Sequence, residues 1–168
     1  MKTAFGELLI EVNDEKGEAV TADIYFIEKE TDPRFRVDGR LLIEITVSPE
    51  QGIELTFSCR FHTPFKITNS DVETGEHLEL KSWYYDKMKW SIGTVDGEWL
   101  TAVRQVTVEK IGYLEDGISV TLSEIPSGES FMLPFAVAWK TMADPEAEDH
   151  YTWFMANPAD MYPSRFKG

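Results

Sequence analysis

The chain has 168 residues, 42% hydrophobic and 12% aromatic, enough apolar side chain for one packed domain and too much for the disordered class. Thirty Asp and Glu against sixteen Lys and Arg give a formal charge of −14. That balance argues against nucleic acid and anionic membrane surfaces as partners, because both demand clustered cations, and no run approaches the roughly 18 apolar residues that cross a bilayer.

In chain order, the sequence reads as strand after strand. "FGELLIEV" alternates, with Leu8, Ile10 and Val12 on one face and Glu7 and Glu11 on the other. "NDEKGE" is a turn into "AVTADIYFIEKE", and "TDPRFRVDG" a polar connection ending in the Asp38-Gly39 turn signal. "RLLIEITV" aligns Leu41, Ile43, Ile45 and Val47, and "GIELTFSCRFH" aligns Ile53, Leu55, Phe57, Cys59 and Phe61. The short "SPEQG" between these two strands predicts an antiparallel hairpin. "TPFKITNSDVETGE" is the longest segment read as irregular. "HLELKSWYY", "MKWSIG", "WLTAVRQVTVEKIGYL", "ISVTLSEI", "SFMLPFAVAWKTM" and "HYTWFMA" follow as further strands. The tail from about residue 157 shows no periodicity.

No segment carries a helical stripe over eleven or more residues. Short strands punctuated by Gly, Pro and Asp predict a single all-β domain over 1–168, an antiparallel sandwich or barrel-like sheet of about eight or nine strands with little helix. The N-terminus carries acids within ten residues and lacks the apolar stretch of an export signal, so a cytoplasmic location is the default expectation. Cys59, the one cysteine, excludes an internal disulfide and falls on the apolar row of its strand, where a free thiol behaves as a small hydrophobe.

Chemistry-bearing patterns are sparse. His77 and Glu79 are two residues apart, a spacing that places both on one face of a strand and offers two ligands to a metal; a site needs at least three, and an outward-facing polar row is the favoured explanation of the pair. His62 falls on the face opposite Cys59, and His150 follows Asp149 at a loop–strand junction. No G-x-S-x-G, P-loop or G-x-G-x-x-G motif occurs, so the reading leans away from an enzyme and predicts no cofactor.

The aromatics and acids carry the functional reading. "SWYYDKMKW" sets Trp83, Tyr84, Tyr85 and Trp90 among charges, and consecutive rings on one strand must point to both faces. Either a second layer buries the outer rings or they stand exposed as anchors for a partner. "ADPEAEDHYTWFM" places Asp144, Glu146, Glu148 and Asp149 beside Tyr151 and Trp153. Four like charges in six residues keep a loop in water unless something cationic meets it, so the stretch reads first as an acidic hairpin loop and second as a docking loop. Trp83, Tyr85, Trp90, Tyr151, Trp153 and the four loop acids are therefore the expected partner-binding residues. Acidic residues are spread evenly along the chain, as ordinary solubility also produces.

This profile is similar to that of small cytoplasmic immunity proteins, which are compact, acidic and free of catalytic motifs. It implies a non-catalytic inhibitor, monomeric or dimeric alone, of a basic partner such as a bacterial nuclease toxin. Two other classes compete: a ligand-binding or enzymatic β scaffold with an aromatic-lined pocket, and an accessory component of a phage or secretion assembly that self-associates through a strand edge or aromatic patch.

Overall fold

A computed structural model describes residues 1–30, 37–49, 53–75, 77–141 and 156–161. Its strands are β1 (Lys2–Thr3), β2 (Gly6–Asp14), β3 (Asp23–Glu28), β4 (Gly39–Val47), β5 (Leu55–His62), β6 (Asn69–Gly75), β7 (Leu78–Tyr85), β8 (Met88–Val95), β9 (Thr107–Leu114), β10 (Gly117–Ser123) and β11 (Phe131–Thr141). Two short helices join them, α1 (Gly97–Arg104) and α2 (Pro158–Met161). The strands form two antiparallel sheets, ordered β1-β2-β5-β10-β9 and β3-β4-β11-β8-β7-β6. The fold is an all-β sandwich.

Alternation builds the core. Leu8 and Val12 from β2, Leu55, Phe57, Cys59 and Phe61 from β5, and Ile118, Val120 and Leu122 from β10 face inward from the five-stranded sheet. Leu41, Ile43, Ile45 and Val47 from β4 and Leu133, Phe135 and Val137 from β11 meet them from the six-stranded sheet. At one end Phe5 stacks on Trp90, with centroids 5.5 Å apart and planes 3° from parallel, while Phe61 sets its edge against both Trp83 and Trp90. Edge-to-face and stacked rings add to the area they bury.

The six-stranded sheet is buried on its outer face as well. Leu42, Leu78, Leu80, Ala136 and Ala138 form a second cluster there with Ala156. A side chain at Gly93 would run into the Ala156 carbonyl oxygen, 2.0 Å from an added Cβ. Glycine at that position lets the Ala156 backbone lie close against the sheet.

The sequence expectations need correction at four places. The described residues form eleven strands where about eight or nine were expected, because β1 is only two residues long and β6 lies in the segment expected to be irregular. In β6 Asp71 and Glu73 stay in a ladder despite their low strand propensity because β7 supplies the template. β4 and β5 do not form a hairpin: β4 pairs with β3 and β11, and β5 with β2 and β10, so the connection crosses between sheets. Their apolar rows thereby face each other across the core instead of lying side by side. Finally, residues 99–104, expected to open the strand "WLTAVRQVTVEKIGYL", are helical, and α1 begins two residues earlier, in the expected turn. Asp96 caps α1 by accepting from the Trp99 N–H at 2.7 Å, and Gln105 ends it in the left-handed region at φ 56°. Only Trp99 and Leu100 of α1 are buried, too short a stripe to read as helical periodicity. The expected strand "HYTWFMA" lies, except for Ala156, outside the described residues.

Cys59 is fully buried, and burial pushes its thiol well above the ordinary range. Thiol-reactive probes are expected to modify it only as fast as the domain unfolds. Labelling and unfolding rates should rise in parallel with urea; rapid labelling under native conditions would place the thiol at the surface.

Candidate functional site

The residues expected to contact a partner separate into three environments. Trp83 and Trp90, proposed as surface anchors, are both fully buried, and this corrects the expectation: the five-stranded sheet supplies the second layer that covers them. Tyr85 is half-buried, packed against the core and stacked on Phe65 at 4.9 Å. Asp144, Glu146, Glu148, Asp149, Tyr151 and Trp153 lie outside the described residues, as does His150.

Trp83 is held by more than packing. Its indole N–H donates to the Glu115 carbonyl at 2.7 Å, and the neighbouring Lys81 ammonium donates to the Leu114 carbonyl at 2.5 Å. The Leu114 carbonyl closes β9 and the Glu115 carbonyl opens the β9–β10 turn. From the other sheet, Arg60 grips the same turn through a bidentate pair with Asp116, Nη2 to Oδ2 being 2.7 Å. Asp116 in turn holds the guanidinium pKa above its ordinary value, and burial lowers that of Lys81. This turn is a clasp between the two sheets.

An open cleft of about 1020 Å³ lies at the β6–β7, α1 and β9 end. Glu79, Asp96, Glu98 and Glu109 line it, against Lys110 and His77. His77 does not sit on β7; it occupies the preceding turn at φ 65°, a left-handed conformation. From there its Nδ1 lies 3.3 Å from Asp96 Oδ2, and its carbonyl accepts from the Asp96 N–H at 3.2 Å. Glu79 instead accepts from the Tyr113 hydroxyl, and burial together with that carboxylate raises the phenol pKa. His77 and Glu79, the pair weighed as metal ligands, thus share a cleft but belong to separate polar pairs. Among the described residues no group of three or more His, Cys, Asp and Glu side chains is placed to hold a metal ion. His62 is exposed on the face away from Cys59, as its strand position predicts.

Sequence reasoning missed that Lys81 and Lys89 are buried, Lys89 the more deeply. Lys89, on the outer face of the six-stranded sheet, is 2% exposed and lies over the Tyr84 ring at 4.8 Å. Burial lowers its pKa to about 8, with Lys140 adding to the shift and Glu73 and Asp71 opposing it. Tyr84 is pushed the other way, its pKa raised by burial and then by the charge of Asp71. A lysine whose folded pKa lies below its unfolded 10.5 binds fewer protons when folded between about pH 8 and 10.5, so its contribution to stability rises through that window. In Lys89→Met this dependence is absent. The unfolding free energy of the variant minus that of the parent is expected to fall steadily from pH 8 to 10.5 in urea titrations. A pH-independent difference would show that Lys89 is normally solvated.

Comparison with protein-family models, curated proteins and solved structures returns no match for this chain. No helix among the described residues is long and apolar enough to cross a membrane.

Proposed function

We propose that this chain is a non-catalytic binding protein that recognises a basic protein, in its most concrete form a bacterial immunity protein that neutralises a cationic toxin such as a nuclease. The observation that supports this reading is the open cleft whose rim carries Glu79, Asp96, Glu98 and Glu109 against one lysine. An excess of carboxylates around a concavity focuses negative potential there and speeds encounter with a cationic surface. Against a net charge of −14 the same field repels nucleic acid, so the inhibitor would compete for the toxin's phosphate-binding face rather than for its substrate.

The test is native mass spectrometry of the protein purified from its own source, followed by association kinetics with the basic protein it carries. Glu79→Gln, Glu98→Gln and Glu109→Gln combined are expected to slow association by about tenfold or more at low salt and to flatten its salt dependence. Dissociation should change less. Serine at Asp144, Glu146, Glu148 and Asp149 together tests the acidic loop in the same way. Unchanged association in both variants would end the electrostatic reading. A ligand-binding β sandwich is the second reading, favoured by His77 and Glu79 opening into one cleft; a small molecule or metal retained in the same spectra would select it.

A further inference from the structure

β3 ends the six-stranded sheet, and among the described residues no strand lies beyond it. Its sequence, "DIYFIE", has four consecutive apolar residues, of which Ile24, Tyr25 and Phe26 are 36%, 56% and 40% exposed. Natural edge strands are ordinarily blunted by charge, proline or a bulge, because a bare edge templates further pairing. In β3 the charges, Asp23 and Glu28, stand only at the two ends, and neither proline nor bulge interrupts the apolar run between them.

The ladder fixes which backbone groups are available. Lys29 N–H donates to the Arg40 carbonyl at 3.1 Å, and the β3–β4 register pairs Ile24 with Ile45 and Phe26 with Ile43. In an antiparallel ladder the bonded pairs alternate, so Lys29, Ile27, Tyr25 and Asp23 bond β4. Ile24, Phe26 and Glu28 therefore direct their N–H and C=O groups outward.

We propose that this edge pairs with β3 of a second copy of the chain, antiparallel about a two-fold axis at Phe26, joining the two six-stranded sheets into one continuous sheet. The strand is self-complementary in that register. Phe26 meets Phe26, Tyr25 meets Ile27 of the second copy, and Asp23 comes opposite Lys29 of the second copy. Glu28 falls opposite Ile24 of the second copy, so no acid faces an acid. Sliding by two residues toward Ile24 instead centres the pair on Tyr25 and takes Lys29 out of reach of Asp23. The interface is isologous and closes on itself, giving a dimer rather than a fibre.

Since each chain carries −14, long-range repulsion opposes this contact, and added salt should strengthen it. A basic partner at the acidic cleft should respond oppositely, so the two readings fail separately.

Sedimentation equilibrium from micromolar to millimolar protein, at low and high salt, is the test. The parent is expected to dimerise, more tightly at high salt. Proline at Ile24 or Phe26 removes an outward N–H without taking a bond from β4, and is expected to weaken the dimer by about tenfold or more while leaving the circular dichroism spectrum unchanged. If either proline variant unfolds, Tyr25→Lys decides, because that side chain already stands in water. A parent that stays monomeric throughout, or a dimer indifferent to Tyr25→Lys and to both proline variants, overturns the proposal.

Discussion

Trp90→Ala is expected to destabilise the domain by about 3–5 kcal/mol, measured by urea unfolding, because the cavity falls between Phe5 and Phe61 where both sheets meet. Phenylalanine at the same position should be far milder. Among the described residues the buried Trp90 indole nitrogen has no hydrogen-bond partner, so Trp90→Phe removes a donor unpaired there along with some packing. Trp83→Phe deletes instead the bond to the Glu115 carbonyl and loosens the clasp. The two conservative substitutions should therefore differ, Trp83→Phe costing more by about 1 kcal/mol or above. Equal costs would mean that the indole bond to the turn contributes nothing net.

Gly117→Ala is the second large effect expected. A Cβ at this position would stand 2.3 Å from the Cys59 carbonyl oxygen and 2.8 Å from the Arg60 Cα, both backbone atoms of β5 that cannot swing aside. β10 and β5 would have to separate where Gly117 pairs with Arg60, also pulling Arg60 away from Asp116. A loss of about 3 kcal/mol is expected in thermal or urea unfolding. Gly97→Ala is the control, since its Cβ would meet only Val108 side-chain atoms at 3.6 Å or more within α1. That change should be neutral or slightly stabilising. If Gly117→Ala matched it, the β5–β10 contact would be looser than described.

Much of the sandwich was legible in the sequence because its signal is local. The alternating rows of Leu41 to Val47 and Leu55 to Phe61 show strand and facing without any knowledge of the partner strand. What sits opposite those rows is not local, and the β4–β5 connection shows why. A short turn-rich link serves a hairpin and a crossover equally well, and only the global demand for two opposed layers decides between them. Trp83 and Trp90 failed as surface anchors for the same reason: ring size and spacing show that both faces of the strand carry bulk, while burial depends on the second sheet. The acidic cleft collects Glu79, Asp96 and Glu109 from β7, the cap of α1 and β9, positions far apart in the chain. Lys89 gave no signal, since a lysine between aromatics reads as a solvated residue until a layer covers it.

The position of β11 governs how the chain is made. It is the last described strand to leave the ribosome, yet it occupies the middle of its sheet, between β4 and β8. Until residues 131–141 emerge, β3–β4 and β6–β7–β8 are separate fragments, each with a bare inner edge and an uncovered apolar face. The six-stranded sheet therefore cannot close until residues 131–141 have emerged, and a transcript truncated before β11 should yield an insoluble product rather than a smaller domain.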